Sequence, residues 1–135
     1  MTALTEFLFP APAPRSAVEI LKWWERRRLP YNLAVGAAGT VSVAVLAAVQ
    51  LLPPFSSAPL IPIGGVVVFG LMANLCYLLG PAVELAIGLI WGRSVLPTGP
   101  ALYRMGLTFS VGLALFPGLL AVLLWCGMTL RALLF

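Results

Sequence analysis

The segment GLMANLCYLLGPAVELAIGLIWG, residues 70–92, decides the fold of this chain. It belongs to an apolar run of about thirty residues, whereas about 20 suffice for a helix to cross the hydrocarbon layer of a bilayer. The segment also contains Asn74, a Gly80-Pro81 pair and Glu84, which is the last carboxylate in the chain. Because an acid is costly in such surroundings, we expect Glu84 to have a partner that constrains the rest of the molecule.

The composition of the chain is that of an integral membrane protein. Hydrophobic residues make up 61% of the sequence and charged residues only 9%, against roughly 25% charged residues in soluble domains. The chain has eight Lys and Arg residues against four Asp and Glu. Five of the eight lie before residue 30, namely Arg15, Lys22, Arg26, Arg27 and Arg28. This clustering indicates a flank that orients the chain in a membrane, and not a nucleic-acid-binding surface.

We therefore predict an all-α integral membrane protein with three transmembrane helices, at about residues 31–52, 61–92 and 100–130. The three spans form one bundle over residues 31–135. The second run is interpreted as a single overlong helix, because the piece after Gly80-Pro81 is too short to cross a bilayer alone. A re-entrant segment is the alternative. Three spans also put Arg93 and Arg104 on the same side as the N-terminal cations, as the positive-inside rule requires.

Two further elements are predicted before the first span. Residues 1–15 are predicted to form an extended arm laid across a partner subunit, because three alternating prolines forbid a regular helix there. A disordered tail is the other interpretation. Residues 16–30 form a short amphipathic helix at the membrane interface, which begins with a Ser16–Glu19 capping box and is stopped by Pro30. The interfacial residues of this helix are Trp23, Trp24, Arg26 and Arg27. The predicted location is a bacterial inner membrane, with the N terminus cytoplasmic and the C terminus external.

Each predicted span carries small residues at intervals of four, a spacing that lets membrane helices approach closely. This pattern predicts a tight bundle, either within one chain or between chains. The helix-packing residues are Gly36, Thr40 and Ala44 in the first span, Gly80 and Gly88 in the second, and Gly106, Ser110, Ala114 and Gly118 in the third.

Glu84 is predicted to belong to a structural polar cluster near the inner interface. Asn74, Tyr77 and Glu84 share one face of the second span, by their three- and four-residue spacing. The expected partner of Glu84 is an arginine whose long side chain reaches the interface. The candidates are Arg28, Arg93 and Arg104. In the other interpretation, Glu84 exchanges protons or cations during transport.

Two tracts, W-W-E-R-R-R-x-x-Y-N at residues 23–32 and A-N-x-C-Y-x-L-G-P-x-x-E at residues 73–84, resemble those of small multi-pass bacterial membrane proteins of uncharacterised role. The resemblance implies that the two tracts belong together, as a contact between an arginine and Glu84 would require. It implies no activity.

The sequence contains no histidine and no aspartate, so Ser-His-Asp catalysis and His-ligated metal sites cannot be assembled from this chain alone. We therefore expect no catalysis and no metal site.

The leading hypothesis is an accessory or scaffold subunit of a larger inner-membrane complex, with energy-transducing (respiratory or photosynthetic) assemblies as natural hosts. The alternative is a small oligomeric transporter or channel that uses Glu84. Expected partners are membrane lipids and other membrane subunits or further copies of the chain. The sequence specifies no cofactor; we expect bound lipid, and a pigment or quinone contact is an open alternative.

Overall fold

The computed structural model describes residues 16–55, 57–58, 60–92 and 98–134. These residues form three helices, α1 (Ala17–Leu51), α2 (Ile63–Trp91) and α3 (Gly99–Leu134), and no strand. Each helix is long and apolar enough to cross a membrane. The all-helical fold with three candidate spans, predicted from the sequence, is therefore confirmed. The predicted N-terminal arm and Arg93 lie outside the described residues.

α1 is one continuous helix, and the prediction that Pro30 ends a helix at Leu29 is wrong. The capping box at its start is present, with the Ser16 backbone N–H donating to Glu19 Oε2 and the Glu19 N–H donating to Ser16 Oγ. Trp24 and Tyr31 lie on either side of Pro30, and each is only 3% exposed. Seven residues make two helical turns, so an unbroken helix places both rings on the buried face. This packing outweighs the one backbone hydrogen bond that proline removes.

Because the helix continues through Pro30, residues 16–30 are not a separate helix. They are the first part of a helix of 35 residues, which is about 52 Å long. Trp24 is part of the buried core and not a surface residue at an interface. Trp23 is half-buried, and Arg27 lies over its ring at 3.7 Å from the centroid.

α2 also passes unbroken through its proline, Pro81, as the length of the apolar run predicted. α1 and α3 run in the same direction. Three contacts show their common register: Tyr31 with Ser110, Ser42 with Gly118, and the Pro53 carbonyl with Trp125. α2 runs the opposite way, since Trp24 contacts Glu84 and Tyr31 contacts Ala73. α1 supplies most of the core, and α2 and α3 both pack mainly on α1.

The predicted small-residue ridges have three different outcomes in this bundle. In α3, Ser110, Ala114 and Gly118 are buried, whereas Gly106 is exposed. In α2, both predicted glycines are half-buried, but only Gly80 closely approaches another helix. In α1, the predicted ridge residues Gly36, Thr40 and Ala44 are exposed, and a Cβ at Gly36 would meet no atom within 4 Å. Equal spacing does not reveal which ridge faces inward, because all three spans carry one.

α1 and α3 approach each other closely at Gly118, next to the proline of α3. The Gly118 N–H donates to Ser42 Oγ at 2.7 Å, and a Cβ on Gly118 would lie 3.0 Å from the Ser42 Cα. Pro117 has no N–H, so the helix ladder is already interrupted at this level. Hydroxyls on neighbouring helices commonly satisfy the backbone groups that such a proline disturbs.

Replacing Ser42 by alanine is expected to lower the free energy of unfolding by about 1 kcal/mol, because the buried Gly118 N–H loses its hydrogen bond to the Ser42 hydroxyl. The measurement is titration with dodecyl sulfate in mixed micelles, followed by tryptophan fluorescence. Thr40→Ala is the matched control, since the Thr40 hydroxyl is exposed and, among the described residues, bonds to Gly36 O on its own helix alone. Equal losses in the two variants would contradict a special role for Ser42.

Candidate functional site

The candidate site lies where one end of α2 meets the first half of α1 and the start of α3. Glu84 is buried there, with 6% of its surface exposed. Its Oε2 accepts a hydrogen bond of 2.7 Å from the indole Nε1 of Trp24. The Glu84 carboxyl group is therefore bound through a neutral donor on α1.

The start of α3 gives Glu84 its second contact. A Cβ on Gly99 would stand 2.5 Å from Glu84 Oε2 and 3.0 Å from Cδ, so the carboxyl group lies directly against this residue. Gly99 is the first residue of α3. The first turn of a helix carries unpaired N–H groups and a partial positive charge, which favour an acidic group nearby. The absence of a side chain at position 99 makes this approach sterically feasible.

The prediction that an arginine partners Glu84 is wrong for Arg28 and Arg104. Arg28 forms its ion pair with Glu25 on the same helix, at 3.3 Å, and Arg104 is exposed without an ion pair to a described residue. The third candidate, Arg93, is outside the described residues. A buried ion pair requires two charged groups to be desolvated. The indole N–H is neutral, so it binds the acid without removing a second charge from water.

The other predicted members of the polar cluster have separate roles. The Tyr77 hydroxyl donates to the backbone carbonyl of Trp24, which ties α2 to α1. Asn74 Nδ2 bonds to Gly70 O on its own helix at 3.1 Å. The structure thus brings together Tyr77 and Glu84 through Trp24, and leaves Asn74 and the two described arginines outside the cluster.

Aromatic rings surround this contact. The centroid of Trp24 lies 5.4 Å from that of Tyr77 and 6.2 Å from that of Tyr103, both in edge-to-face geometry. Tyr31 lies 4.7 Å from Tyr77, and its hydroxyl bonds to Ser110 Oγ at 2.8 Å and to Ala73 O at 3.2 Å. Edge-to-face pairs stabilise by about 0.5–1.5 kcal/mol beyond simple burial. The rings and their hydrogen bonds therefore connect all three helices.

Gly80 allows the Trp24 ring to reach its position. A Cβ on Gly80 would overlap three carbon atoms of the six-membered ring of Trp24. The Gly80-Pro81 pair therefore marks the place where α2 receives an indole ring from α1, and not a break in the helix.

A lateral groove of about 250 Å³ opens between α2 and α3 next to this cluster. Trp24, Tyr31, Tyr77 and Tyr103 contribute to its walls, and so do Gly80 and Gly106. Its remaining lining is mainly apolar. A second groove, of about 510 Å³, lies between α1 and α2. It contains the exposed ridge residues Gly36 and Thr40 and both asparagines, Asn32 and Asn74.

Within the described ranges, no group of three or more His, Cys, Asp or Glu side chains is close enough to hold a metal ion.

Sequence reasoning missed Tyr31, Tyr103 and Ser42 as site residues. Tyr31 follows Trp24 by seven residues, a signal that was hidden by the assumption of a break at Pro30. Ser42 carries no such signal, because a single serine in an apolar helix does not reveal which neighbouring helix its side chain faces.

No family model matches the sequence, and neither the curated proteins nor the solved structures contain a significant match.

Proposed function

We propose that this protein is a non-catalytic accessory or scaffold subunit of a larger integral-membrane assembly. The observation that carries the proposal is the groove between α1 and α2, where small residues are exposed and no described segment of the chain covers them. Gly36 and Thr40 line it from α1 and Gly70 lines it from α2. Small residues at a four-residue interval let the backbone of a second helix come close, and dispersion forces then hold it in lipid.

Polar groups in the same groove support a protein occupant. Asn32 is half-buried, and its side chain makes no hydrogen bond to a described residue. Asn74 uses its amide nitrogen within α2, which leaves its carbonyl oxygen for an external donor. Lipid tails offer nothing to either amide, whereas a neighbouring helix offers hydroxyl or amide side chains. A transmembrane helix of a partner subunit, or of another copy, fits both the shape and the polarity of this groove.

The charges support the proposed orientation in a bacterial inner membrane. Lys22 and Arg26 are exposed in the first part of α1, at the end of the bundle where α3 begins, and Arg131 lies near the end of α3. An excess of cations at one end is the pattern of a cytoplasmic side. The exposed Lys22 and Arg26 are also suited to anionic lipid headgroups. Energy-transducing complexes are proposed as hosts by association alone, since no described residue specifies a host.

Replacing Gly36 by leucine is expected to abolish the association while leaving the monomer folded, because a Cβ at Gly36 meets no atom within 4 Å. The measurement is gentle-detergent purification of the tagged chain followed by native mass spectrometry. Gly127→Leu is the matched control, since Gly127 is an exposed glycine on α3 with equally open surroundings. A lone monomer for the wild type, or unchanged association for Gly36→Leu, would count against the proposal.

A second candidate function is a small proton- or cation-coupled transporter or channel that uses Glu84. The observation that favours it is the buried carboxyl group, which has no cationic partner among the described residues. Buried acids in membrane spans often mark proton or ion pathways. If this function is correct, Glu84→Gln abolishes coupled flux in liposomes and leaves the assembly intact. If the same change disrupts the bundle instead, the role of Glu84 is structural.

A further inference from the structure

A cluster of cationic and aromatic side chains lies where the first part of α1 packs on the start of α3. The guanidinium carbon of Arg27 lies 3.7 Å from the centroid of the Trp23 ring, and this ring meets Tyr103 of α3 edge to face at 6.2 Å. Arg104 follows Tyr103 along α3 and is exposed. Trp23, Arg27 and Tyr103 are half-buried, so each keeps part of its surface accessible. We call these four residues the α1–α3 cation cluster.

The two arginines of this cluster have no acidic partner among the described residues. The described carboxylates are engaged elsewhere: Glu19 in the capping box, Glu25 in an ion pair along α1, and Glu84 with an indole N–H. The positive charge of the cluster is therefore not neutralised within the part of the chain that the structure describes. This favours the binding of an anion from outside the chain.

Arg27 is held in place by its neighbour and still has donors to offer. It stacks on Trp23 and gives one N–H to the Trp23 backbone carbonyl, at 3.4 Å. A guanidinium group has five N–H donors in a planar fork that matches two oxygens of a phosphate group. The Tyr103 hydroxyl makes no hydrogen bond to a described residue and is a further donor. The cluster thus presents the donors and the charge that a phosphate group requires.

The position of the cluster along the helices favours a lipid headgroup as the source of the phosphate. Tryptophan and tyrosine are enriched where the hydrocarbon layer meets the headgroups. Beyond the cluster, α1 carries no charged residue after Arg28, and α3 carries none between Arg104 and Arg131. The acyl chains of a lipid whose phosphate lies at the cluster can therefore extend along apolar helix surface. A soluble phosphate compound makes no use of that surface.

We propose that the α1–α3 cation cluster binds the phosphate group of an anionic phospholipid. Arg27 offers its fork to two phosphate oxygens, Tyr103 donates its hydroxyl, and Arg104 adds a second positive charge. This differs from the diffuse attraction of the exposed Lys22 and Arg26 for a lipid surface, because one lipid occupies a defined position. The inference needs neither a partner subunit nor transport, so it can fail while both functions proposed above stand.

The test compares two lipids with the same dioleoyl chains: phosphatidylglycerol, which is anionic, and phosphatidylcholine, which is neutral overall. Each is titrated onto the purified, delipidated full chain in a neutral detergent, and the fraction of protein that carries one lipid is measured by native mass spectrometry. The wild type is expected to bind phosphatidylglycerol more tightly by about fivefold or more, which corresponds to about 1 kcal/mol. Millimolar inorganic phosphate should leave the lipid bound. Displacement by phosphate would overturn the assignment to a lipid.

Adjacent arginines provide matched variants. Arg27→Gln is expected to weaken phosphatidylglycerol binding about fivefold, because the stacked fork is lost. Arg26→Gln removes the same charge from the neighbouring, exposed position, and it should weaken binding less than about twofold. Arg104→Gln keeps the proposal testable if Arg27→Gln disturbs folding, since Arg104 is exposed and has no ion pair to a described residue; it should also weaken binding. Equal binding of the two lipids by the wild type, equal losses in Arg26→Gln and Arg27→Gln, or full binding by Arg104→Gln would overturn the inference.

Discussion

Replacing Trp24 by alanine is expected to lower the free energy of unfolding by about 3 kcal/mol or more, the scale of large aromatic deletions from packed interiors. The ring of Trp24 is 3% exposed and packs against Gly80, Tyr77 and Tyr103. Its removal opens a cavity at the junction of three helices. It also leaves the buried Glu84 carboxyl group without its 2.7 Å donor, and an unsatisfied buried polar group adds to the cost.

The measurement is again dodecyl sulfate titration in mixed micelles, read by circular dichroism because the variant lacks one fluorophore. Trp91→Ala is the matched control; Trp91 is 65% exposed at the end of α2, and its loss should change stability by less than about 0.5 kcal/mol. Trp24→Phe retains most of the ring but lacks the N–H, and it separates packing from the hydrogen bond to Glu84. Similar stability of Trp24→Ala and Trp91→Ala would show that Trp24 does not hold the helices together.

The number of helices and the approximate extents of α2 and α3 followed from the apolar runs, because about 20 apolar residues are needed to cross a bilayer. The extent of α1 did not, since this helix begins at Ala17 and not near residue 31. The spacing i, i+3, i+4, i+7 also predicts one apolar face in the first part of α1, made of Ala17, Ile20, Leu21 and Trp24. Ile20 and Trp24 are buried, whereas Ala17 and Leu21 are exposed. Periodicity therefore predicted half of this face correctly.

The partner of Glu84 could not be predicted in the same way. Opposite charge favoured an arginine, but the choice depends on which side chain the rotation of α1 brings to α2. That rotation is set by Trp24 packing on Gly80, a contact between residues far apart in sequence. Pro30 gave a second error for a related reason. Proline weakens a helix locally, whereas the burial of Trp24 and Tyr31 on the same face stabilises it from outside the local segment.

The sequence also did not predict which small-residue ridges face the inside of the bundle. Gly36 and Gly118 occur in similar patterns, yet Gly118 packs on Ser42 and Gly36 faces a groove. In water, exposure of one ridge would be penalised by hydrophobicity, but lipid accepts either side of an apolar helix. Specific contacts between the helices therefore decide the rotation, namely the packing of Trp24 on Gly80 and the interhelical hydrogen bonds. These bonds come from a small minority of the residues in the spans, among them Trp24, Tyr31, Ser42 and Tyr77.

Replacing Gly80 by leucine is expected to destabilise the bundle by about 3 kcal/mol, the upper part of the range for overpacked interiors. Already the Cβ of the new residue would overlap the Trp24 ring, and this ring cannot retreat because Tyr77 and Tyr103 pack against it. α2 must then move away from α1. Gly88→Leu is the matched control. Gly88 lies about two helical turns further along α2, and a Cβ there meets no atom within 4 Å.

The double variant Trp24→Ala with Gly80→Leu distinguishes this steric explanation from a general effect of leucine at position 80. If the ring and the new side chain compete for one space, alanine at position 24 vacates it. The double variant should then lose less stability than the sum of the two single variants, by about 1 kcal/mol or more, as expected for residues in direct contact. Strict additivity would mean that Gly80 is needed for another reason, and that Trp24 does not set the distance between α1 and α2.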